Sequence, residues 1–280
     1  NIPGANLDRA YIPAWAVLCG AIVSEGMALN LTTGVQLLVV LLLVEVGWGT
    51  AWTALATTDW ARPLRRWRHW HLADSEFTVP YTRPGSPAAR FTRWLAELRS
   101  WYRAVLAPTA GPAVGAIGVG ALLSLLLSLV AGRGLVLVTL AAFAVMEMAM
   151  IIDRGREQPR AEWDAVLRLG LPWLAGHLAF SPLSLPSLGI ATAFSVAMAG
   201  SGVKGTGWAR GLWAGGQLAA AALFVPLQRP LIVLFVVLLL FPQWLAILWI
   251  SEERATDPRG WVRRAWPWMI TSMVLSAWAL

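Results

Sequence analysis

Three carboxylate side chains lie inside long apolar stretches of this 280-residue sequence, at Glu25, Glu45 and Glu147. A charged group is costly in hydrocarbon, so such residues normally face the interior of a helix bundle and mark functional positions. Two interpretations fit them. Each could be a protonated or hydrogen-bonded side chain that joins two helices, or the three together could relay protons in a carrier.

Glu45 has the most suggestive neighbours of the three. Trp48, Trp52 and Asp59 follow it at spacings near whole helical turns, which predicts that all four lie close to one face of a helix. We therefore take this face as a candidate ligand-binding surface. Asp59 also begins the basic, tryptophan-rich stretch DWARPLRRWRHWH, residues 59–71.

The three histidines of the sequence, His69, His71 and His177, could ligate a metal in principle. His69 and His71 are two residues apart and fall on different helical faces, so they do not predict a metal site. His177 lies in an apolar stretch and is either a packed, hydrogen-bonded side chain or an axial ligand to a haem or chlorin metal. No spacing typical of another metal site is present.

The segment 199–216, AGSGVKGTGWARGLWAGG, combines many glycines with Lys204 and Arg210. Successive backbone N–H groups could hold a phosphate, and both cations could assist them. The spacing of a P-loop is absent, however. Three of the glycines are four residues apart, which predicts a face for close helix packing instead; they are Gly207, Gly211 and Gly215.

Composition identifies the class of protein. Hydrophobic residues make up 58% of the chain and charged residues only 13%, against about 25% charged in soluble domains. This predicts an all-α, polytopic membrane bundle, and the arginine-, alanine- and glycine-rich usage favours a bacterial inner membrane. The basic excess lies between apolar runs, where it would meet lipid head groups, so no nucleic-acid partner is predicted.

Windows of about 20 apolar residues predict nine transmembrane helices in a single domain, 1–280. The predicted spans are 11–29, 34–57, 112–131, 135–152, 167–181, 188–203, 211–226, 231–250 and 265–280. With this count, only Arg133 and Arg229 of the 22 basic residues fall on the side opposite the long loops. The positive-inside rule then places the N-terminus and the long loops in the cytoplasm.

The longest predicted cytoplasmic loop, 58–111, contains a helix of its own. Ser86 is a suitable N-cap and Pro87 a suitable first helical residue. Large apolar residues then recur at helical spacing with arginines on other faces, which predicts an amphipathic interfacial helix over 87–106. It would be a simple connector, a lid over a site, or a docking surface for a partner.

Four segments resemble the corresponding parts of chlorophyll and bacteriochlorophyll synthases, which belong to the UbiA superfamily of intramembrane prenyltransferases. They are IPAWAVLCGAIVS at 12–24, LGLPWLAG at 169–176, FPQWLAILWISEERATDPRGW at 241–261 and MITSMVLSAWAL at 269–280. The resemblance covers both ends and the middle of the chain in matching order. It implies a nine-span bundle around a lipid-accessible cavity, with a prenyl diphosphate bound through Mg²⁺ by two aspartate-rich cytoplasmic segments.

Both aspartate-rich segments of that family are degenerate here. The first, N-D-x-x-D-x-x-x-D, aligns with LATTDWARP at 55–63, where Asp59 alone matches. The second aligns near 205–213, GTGWARGLW, and no Asp or Glu occurs between Asp164 and Glu252. A diphosphate leaves only when divalent ions and basic groups neutralise its developing charge. Asp59 is therefore a remnant at most, and the sequence predicts a lost catalytic site.

The resulting hypothesis is a prenyltransferase-like protein without catalysis. It would bind an isoprenoid lipid, quinone, carotenoid or (bacterio)chlorophyll, or act as a scaffold among partner subunits of a photosynthetic or electron-transfer membrane complex. The candidate ligand-binding residues are Glu45, Trp48, Trp52, Asp59, His177, Lys204 and Arg210.

Two alternatives stay open at this stage. One is an active, Mg²⁺-dependent transferase with a rearranged site, and the other is a carrier built on Glu25, Glu45 and Glu147. The rearranged site would draw on carboxylates of the cytoplasmic side together with Lys204 and Arg210; these carboxylates are Asp59, Asp153, Glu157, Glu162 and Asp164.

Overall fold

The regular structure of this protein is helical throughout the part that the computed structural model describes. That part comprises residues 11–24, 30–60, 63, 66–67, 85–153, 160–202, 206–253 and 260–280. Its helices are α1 Ile12–Val23, α2 Leu31–Thr57, α3 Pro87–Ala131, α4 Arg133–Ile152, α5 161–178, α6 Leu185–Gly200, α7 Thr206–Leu223, α8 Pro230–Glu253 and α9 Gly260–Ala279. One helix thus overlaps each predicted span, and the predicted all-α class is confirmed for these residues.

The helix starts follow from local sequence. Asn30 caps α2 by accepting a hydrogen bond from the Thr33 N–H at 2.8 Å, and Ser184 caps α6 in the same way. Ser86 accepts from the Ala89 N–H at the start of α3, directly before Pro87. Short polar side chains at these positions satisfy N–H groups that the first turn of a helix leaves open.

Three helices are long and apolar enough to cross a membrane by length and composition: α2, α3 and α4. The helices α1 and α6 and the first part of α8 are apolar but shorter. Large hydrophobic side chains are exposed along α3, α4 and α8, as expected for surfaces that face lipid. These findings indicate a membrane protein, whereas the count of nine crossings stays a prediction.

Helix α3 differs from the sequence prediction in its continuity. The amphipathic helix 87–106 and the span 112–131 were predicted as separate elements, but they form one helix of 45 residues. At about 1.5 Å per residue it is about 68 Å long. Pro108 and Pro112 do not break this helix. The backbone before them widens into a π-helical turn, Tyr102–Leu106, and this turn accommodates the backbone hydrogen bonds that the prolines cannot donate.

The helices α1 and α5 occupy the centre of the bundle. One apolar core joins them to α6, α7 and α9, and a second joins them to α2 and α4. Their backbones touch through two glycines: a Cβ atom on Gly20 would lie 1.9 Å from the Trp173 carbonyl oxygen, and one on Gly176 would lie 2.1 Å from that of Val17. Any side chain at either position would therefore push the two helices apart.

The predicted glycine packing face of α7 is wrong. A Cβ on any of its three glycines, Gly207, Gly211 and Gly215, would meet no atom within 4 Å. The glycine of α7 that packs is Gly216, against Ala193 and Ala197 of α6, and Gly200 of α6 packs against α7 in return. These three glycines do recur every four residues, but α6 packs against a different face of α7, the one that carries Gly216.

A glycine pair tests the α1–α5 contact. We expect Gly20→Ala to destabilise the protein by about 1–3 kcal/mol, because its methyl group overlaps a backbone carbonyl that has little room to move. Gly211→Ala is the matched control and should be neutral or stabilising by up to about 1 kcal/mol, since alanine favours the helix. Unfolding free energies of both variants in detergent would decide, and equal values would contradict the packing described.

Candidate functional site

Four side chains from two distant parts of the sequence form a polar cluster between α2 and α5. The cluster consists of Glu45 and Trp52 of α2 and Asp164 and Arg168 of α5. The Trp52 indole Nε1–H donates to Asp164 Oδ1 at 3.0 Å, and the Arg168 Nε–H donates to the same oxygen at 2.7 Å. The ion pair is mostly shielded, with about a quarter of each side chain exposed. Both donors therefore use the same oxygen of Asp164.

Glu45 completes the cluster by capping α1. Its Oε1 accepts a hydrogen bond from the Ala14 backbone N–H at 3.0 Å, in the first turn of α1. Tyr11, the N-cap residue, offers no side-chain bond, and Pro13 has no N–H to donate. Glu45 therefore supplies the acceptor that the start of α1 lacks locally, and the positive end of the helix dipole favours its charge. Arg168 also acts on Glu45 electrostatically.

Two π-helical turns position these groups. Glu45 lies in the turn Leu43–Trp48 of α2, and Arg168 lies in the turn Val166–Gly170 of α5. A π turn inserts an extra residue and so rotates the following side chains relative to a regular helix, and such turns are frequent at functional sites. The predicted one-sided face of α2 is altered for this reason.

The structure places the other members of that predicted face differently. Trp48 is buried, with 1% of its surface exposed, and its indole N–H has no hydrogen-bond partner in the described ranges. Asp59 is not on the helix at all, because α2 ends at Thr57 and the Trp60 indole folds back to donate to the Leu55 carbonyl. Asp59 is exposed there. Trp52 bonds to Asp164 and Glu45 bonds to the start of α1, while Asp59 lies outside the cluster.

His177 is buried at the far end of α5 from Asp164, with 2% of its surface exposed. Its Nε2 lies 2.9 Å from the Pro182 carbonyl oxygen, which can only accept, so Nε2 carries the hydrogen and donates. That leaves Nδ1 with the free lone pair, and Nδ1 has no partner among the described residues. An axial ligand through Nε2 would require this bond to Pro182 to break.

A cavity of about 350 Å³ opens beside His177. Ser181 and Ser184 of the α5–α6 link, Arg229 of the α7–α8 link and apolar residues of α1 and α9 also line it. Pockets of this size, with an apolar wall and a few polar groups, are typical of small-molecule sites. Ser181, Ser184 and Arg229 were not named as ligand-binding residues from the sequence.

The glycine-rich segment is only partly described. Lys204 lies outside the described residues, so its predicted role stays a prediction. Arg210 lies in α7, and its Nε is buried without a hydrogen-bond partner within the part of the chain that the structure describes. This Nε–H is therefore a donor that an anion could use.

The remaining predicted carboxylates are scattered. Asp153 forms an ion pair with Arg160 at 2.9 Å and also accepts the Arg160 backbone N–H. Glu147 and Glu162 are exposed on α4 and α5, and Glu25 and Glu157 lie outside the described residues. Of the two described carboxylates in apolar stretches, Glu45 bonds to another helix and Glu147 is exposed.

Among the described residues, no set of donors matches the paired Mg²⁺ site that the family resemblance implies. Mg²⁺ needs carboxylate oxygens with free lone pairs in octahedral geometry. Asp164 Oδ1 already accepts two bonds, and in the described ranges no three His, Cys, Asp or Glu side chains lie close enough together to bind a metal. What the cluster can do is hold α1, α2 and α5 in a fixed arrangement.

Sequence reasoning missed a second polar network, between α7 and α8. Gln217 and Gln243 are fully buried and exchange amide hydrogen bonds at 2.9 and 3.0 Å, and the Trp213 indole donates to Gln243 at 2.6 Å. In α2, Gln36 donates to the Ala179 carbonyl. Buried amides join membrane helices as carboxylates do, so their presence in apolar stretches was the available signal.

In comparisons with known proteins, no family model, curated protein or solved structure matches this chain. The resemblance to the UbiA superfamily therefore stays a prediction from the sequence segments and their order.

The polar cluster predicts unequal effects for two charge-removing substitutions. We expect Asp164→Asn to lower the free energy of unfolding by about 1–3 kcal/mol, because Arg168 loses its counter-charge in a shielded site. Glu147→Gln, on an exposed face of α4, should change it by less than about 0.5 kcal/mol. Chemical unfolding in detergent micelles measures both. A neutral Asp164→Asn would show that the cluster does not stabilise the bundle.

Proposed function

We propose that this chain is a UbiA-like integral membrane protein that binds an isoprenoid-tailed lipid or pigment, or holds subunits of a membrane complex together, and does not transfer prenyl groups. It would cross the bacterial inner membrane nine times with its N-terminus in the cytoplasm. Membrane lipids and further membrane subunits are its proposed partners.

The engagement of the carboxylates carries this proposal. Asp164 of α5 is a candidate for a rearranged site, but its Oδ1 accepts from both Arg168 and Trp52. Glu45 Oε1 accepts from the first turn of α1, and Asp153 is paired with Arg160. A transferase needs carboxylates that can turn to a metal when the diphosphate arrives. Each of these three groups already has at least one oxygen held in a structural bond.

The positions of the helices and of the basic residues support the proposed topology, and cysteine labelling tests it. The helices overlap all nine predicted spans, and the basic residues cluster on one side of that arrangement. Cys19 is buried and is the single cysteine of the sequence, so an introduced thiol can be labelled selectively. A cysteine at Ser86 should react only from the cytoplasmic face and one at Gln228 only from the outer face. Labelling of both from one face would refute the nine-span order.

The cavity beside His177 supports ligand binding. It combines a serine-, histidine- and arginine-bearing wall with apolar residues of α1 and α9, and it lies at the end of α5 opposite the polar cluster. A polar head group could bond there while its tail follows the apolar helix surfaces. The protein would then bind its ligand without using the degenerate site.

An active transferase with a rearranged site is the second candidate. One observation favours it: the Nε of Arg210 is buried without a partner in the described part of α7, where a phosphate would find a cation. A proton-coupled carrier has less support. Glu147 is exposed on α4, whereas residues of an intramembrane relay face the bundle interior.

Purification in a mild detergent from the native membrane tests the proposal. We expect an isoprenoid, quinone, carotenoid or chlorin, or stable partner proteins, to co-purify and to be identified by absorption spectrum and mass. We also expect no Mg²⁺-dependent prenyl transfer, and Asp59→Ala should leave the co-purifying set unchanged. A colourless, solitary protein whose transferase activity disappears in Asp59→Ala would support the second candidate instead.

A further inference from the structure

The cytoplasmic part of α3 exposes a continuous apolar stripe. Phe91, Trp94, Leu95 and Tyr102 are between 42% and 59% exposed, and Leu98 lies among them on the same face. Their spacing of three to four residues places them in one row on a helix. Phe91 and Trp94 also stack on each other, with ring centroids 6.0 Å apart. Such a row of large apolar side chains is normally covered in the functional state.

The rest of the chain does not cover this stripe in the described ranges. Trp101 and Val105 turn to the protein instead, and the Trp101 ring packs edge-to-face on Trp67 at 5.2 Å. No other described helix packs extensively against residues 87–101. The helix is therefore anchored on one side and leaves the apolar stripe available to another partner.

Three arginines flank the stripe. At 3.6 residues per turn, Arg99 and Arg103 fall along one edge and Arg90 along the other, whereas Arg93 lies on the opposite face beside Ser100. All four arginines are exposed, and Glu97, near Arg90, is the single acidic residue of 87–106. An apolar row with arginines on both edges matches a bilayer surface, where arginine stems run along the acyl region and guanidinium groups reach lipid phosphates.

The junction with the membrane-spanning part of α3 can bend the helix toward the bilayer. The π-helical turn Tyr102–Leu106 is followed by Pro108 and Pro112, so three features that bend helices lie within about three turns. They separate the amphipathic part from the apolar part, and the stripe is tethered beside the membrane surface by its own chain.

We propose that the stripe of 91–102 binds the cytoplasmic membrane surface and that its three flanking arginines select anionic lipid head groups. A protein partner is the less favoured occupant, because it would need acidic groups on both sides of its groove to meet Arg90 on one edge and Arg99 and Arg103 on the other. The inference rests on the proposed membrane placement and not on the proposed loss of catalysis. A transferase would carry the same lipid contact.

Depth-dependent quenching tests this in the full-length protein. An environment-sensitive fluorophore is attached to Leu95→Cys on the stripe or to Ser100→Cys on the opposite face, in nanodiscs of phosphatidylcholine with or without phosphatidylglycerol. A spin label in the head-group region of the lipid serves as quencher. We expect strong quenching at position 95 and little at position 100, with the difference largest in the anionic discs.

Charge variants separate the lipid contact from a general effect on folding. Glutamine at positions 90, 99 and 103 should remove the preference for anionic discs, with about fivefold weaker surface binding for each arginine lost. Arg93→Gln, at an exposed position on the opposite face of the same helix, is the matched control and should retain it. Equal quenching at positions 95 and 100 in every lipid would overturn the proposal. Protection of position 95 only by added native membrane proteins would also overturn it and assign the stripe to a protein.

Discussion

A carboxylate among apolar helices must find its bonding partners within the protein, and this constraint organises the bundle. Glu45 meets it by accepting the Ala14 N–H at the start of α1, and Asp164 meets it with Arg168 and Trp52. The bonds Glu45–Ala14 and Trp52–Asp164 join segments that are far apart in sequence, whereas Asp164 and Arg168 are four residues apart in α5. Together these bonds fix the relative positions of α1, α2 and α5.

Close backbone contact completes this arrangement. The polar bonds hold the start of α1 near α2, while Gly20 and Gly176 let α1 approach α5 without intervening side chains. Because apolar side chains gain little from leaving lipid for a neighbouring helix, membrane helices depend on such tight contacts and on internal polar bonds. The π-helical turns at Glu45 and Arg168 aim the two side chains into this region. Polar bonds and close backbone contacts therefore act together to hold α1, α2 and α5 around the polar cluster.

Much of the helical plan could be predicted from the sequence, because apolar length and caps are local properties. The helices overlap all nine predicted segments, and Ser86 begins α3 as expected. The long α3 was not predicted because 87–106 and 112–131 differ in character and were predicted as separate elements, whereas a π turn before Pro108 and Pro112 lies within one continuous helix. The face of each helix that packs against its neighbours was harder to predict. In α7, Gly216 packs against α6 and Gly211 does not, and the glycine spacing within α7 does not show which of them faces α6.

The candidate site shows the same division. The sequence singled out Trp52, but its bond to Asp164 spans 112 positions and could not be read from spacing. Asp164 entered the sequence predictions only as one carboxylate of a rearranged site. The pair Gln217–Gln243 carries no charge, yet a buried amide in an apolar helix needs a bonding partner as a carboxylate does.

The central claim is that the carboxylates of the polar cluster are structural and do not bind metal for diphosphate chemistry. Electron paramagnetic resonance with Mn²⁺ in place of Mg²⁺ tests it most directly, on the purified protein with a prenyl diphosphate added. The account predicts the spectrum of free Mn²⁺ and no difference between the native chain and Asp164→Asn. Stoichiometric bound Mn²⁺ that disappears in Asp164→Asn would contradict it.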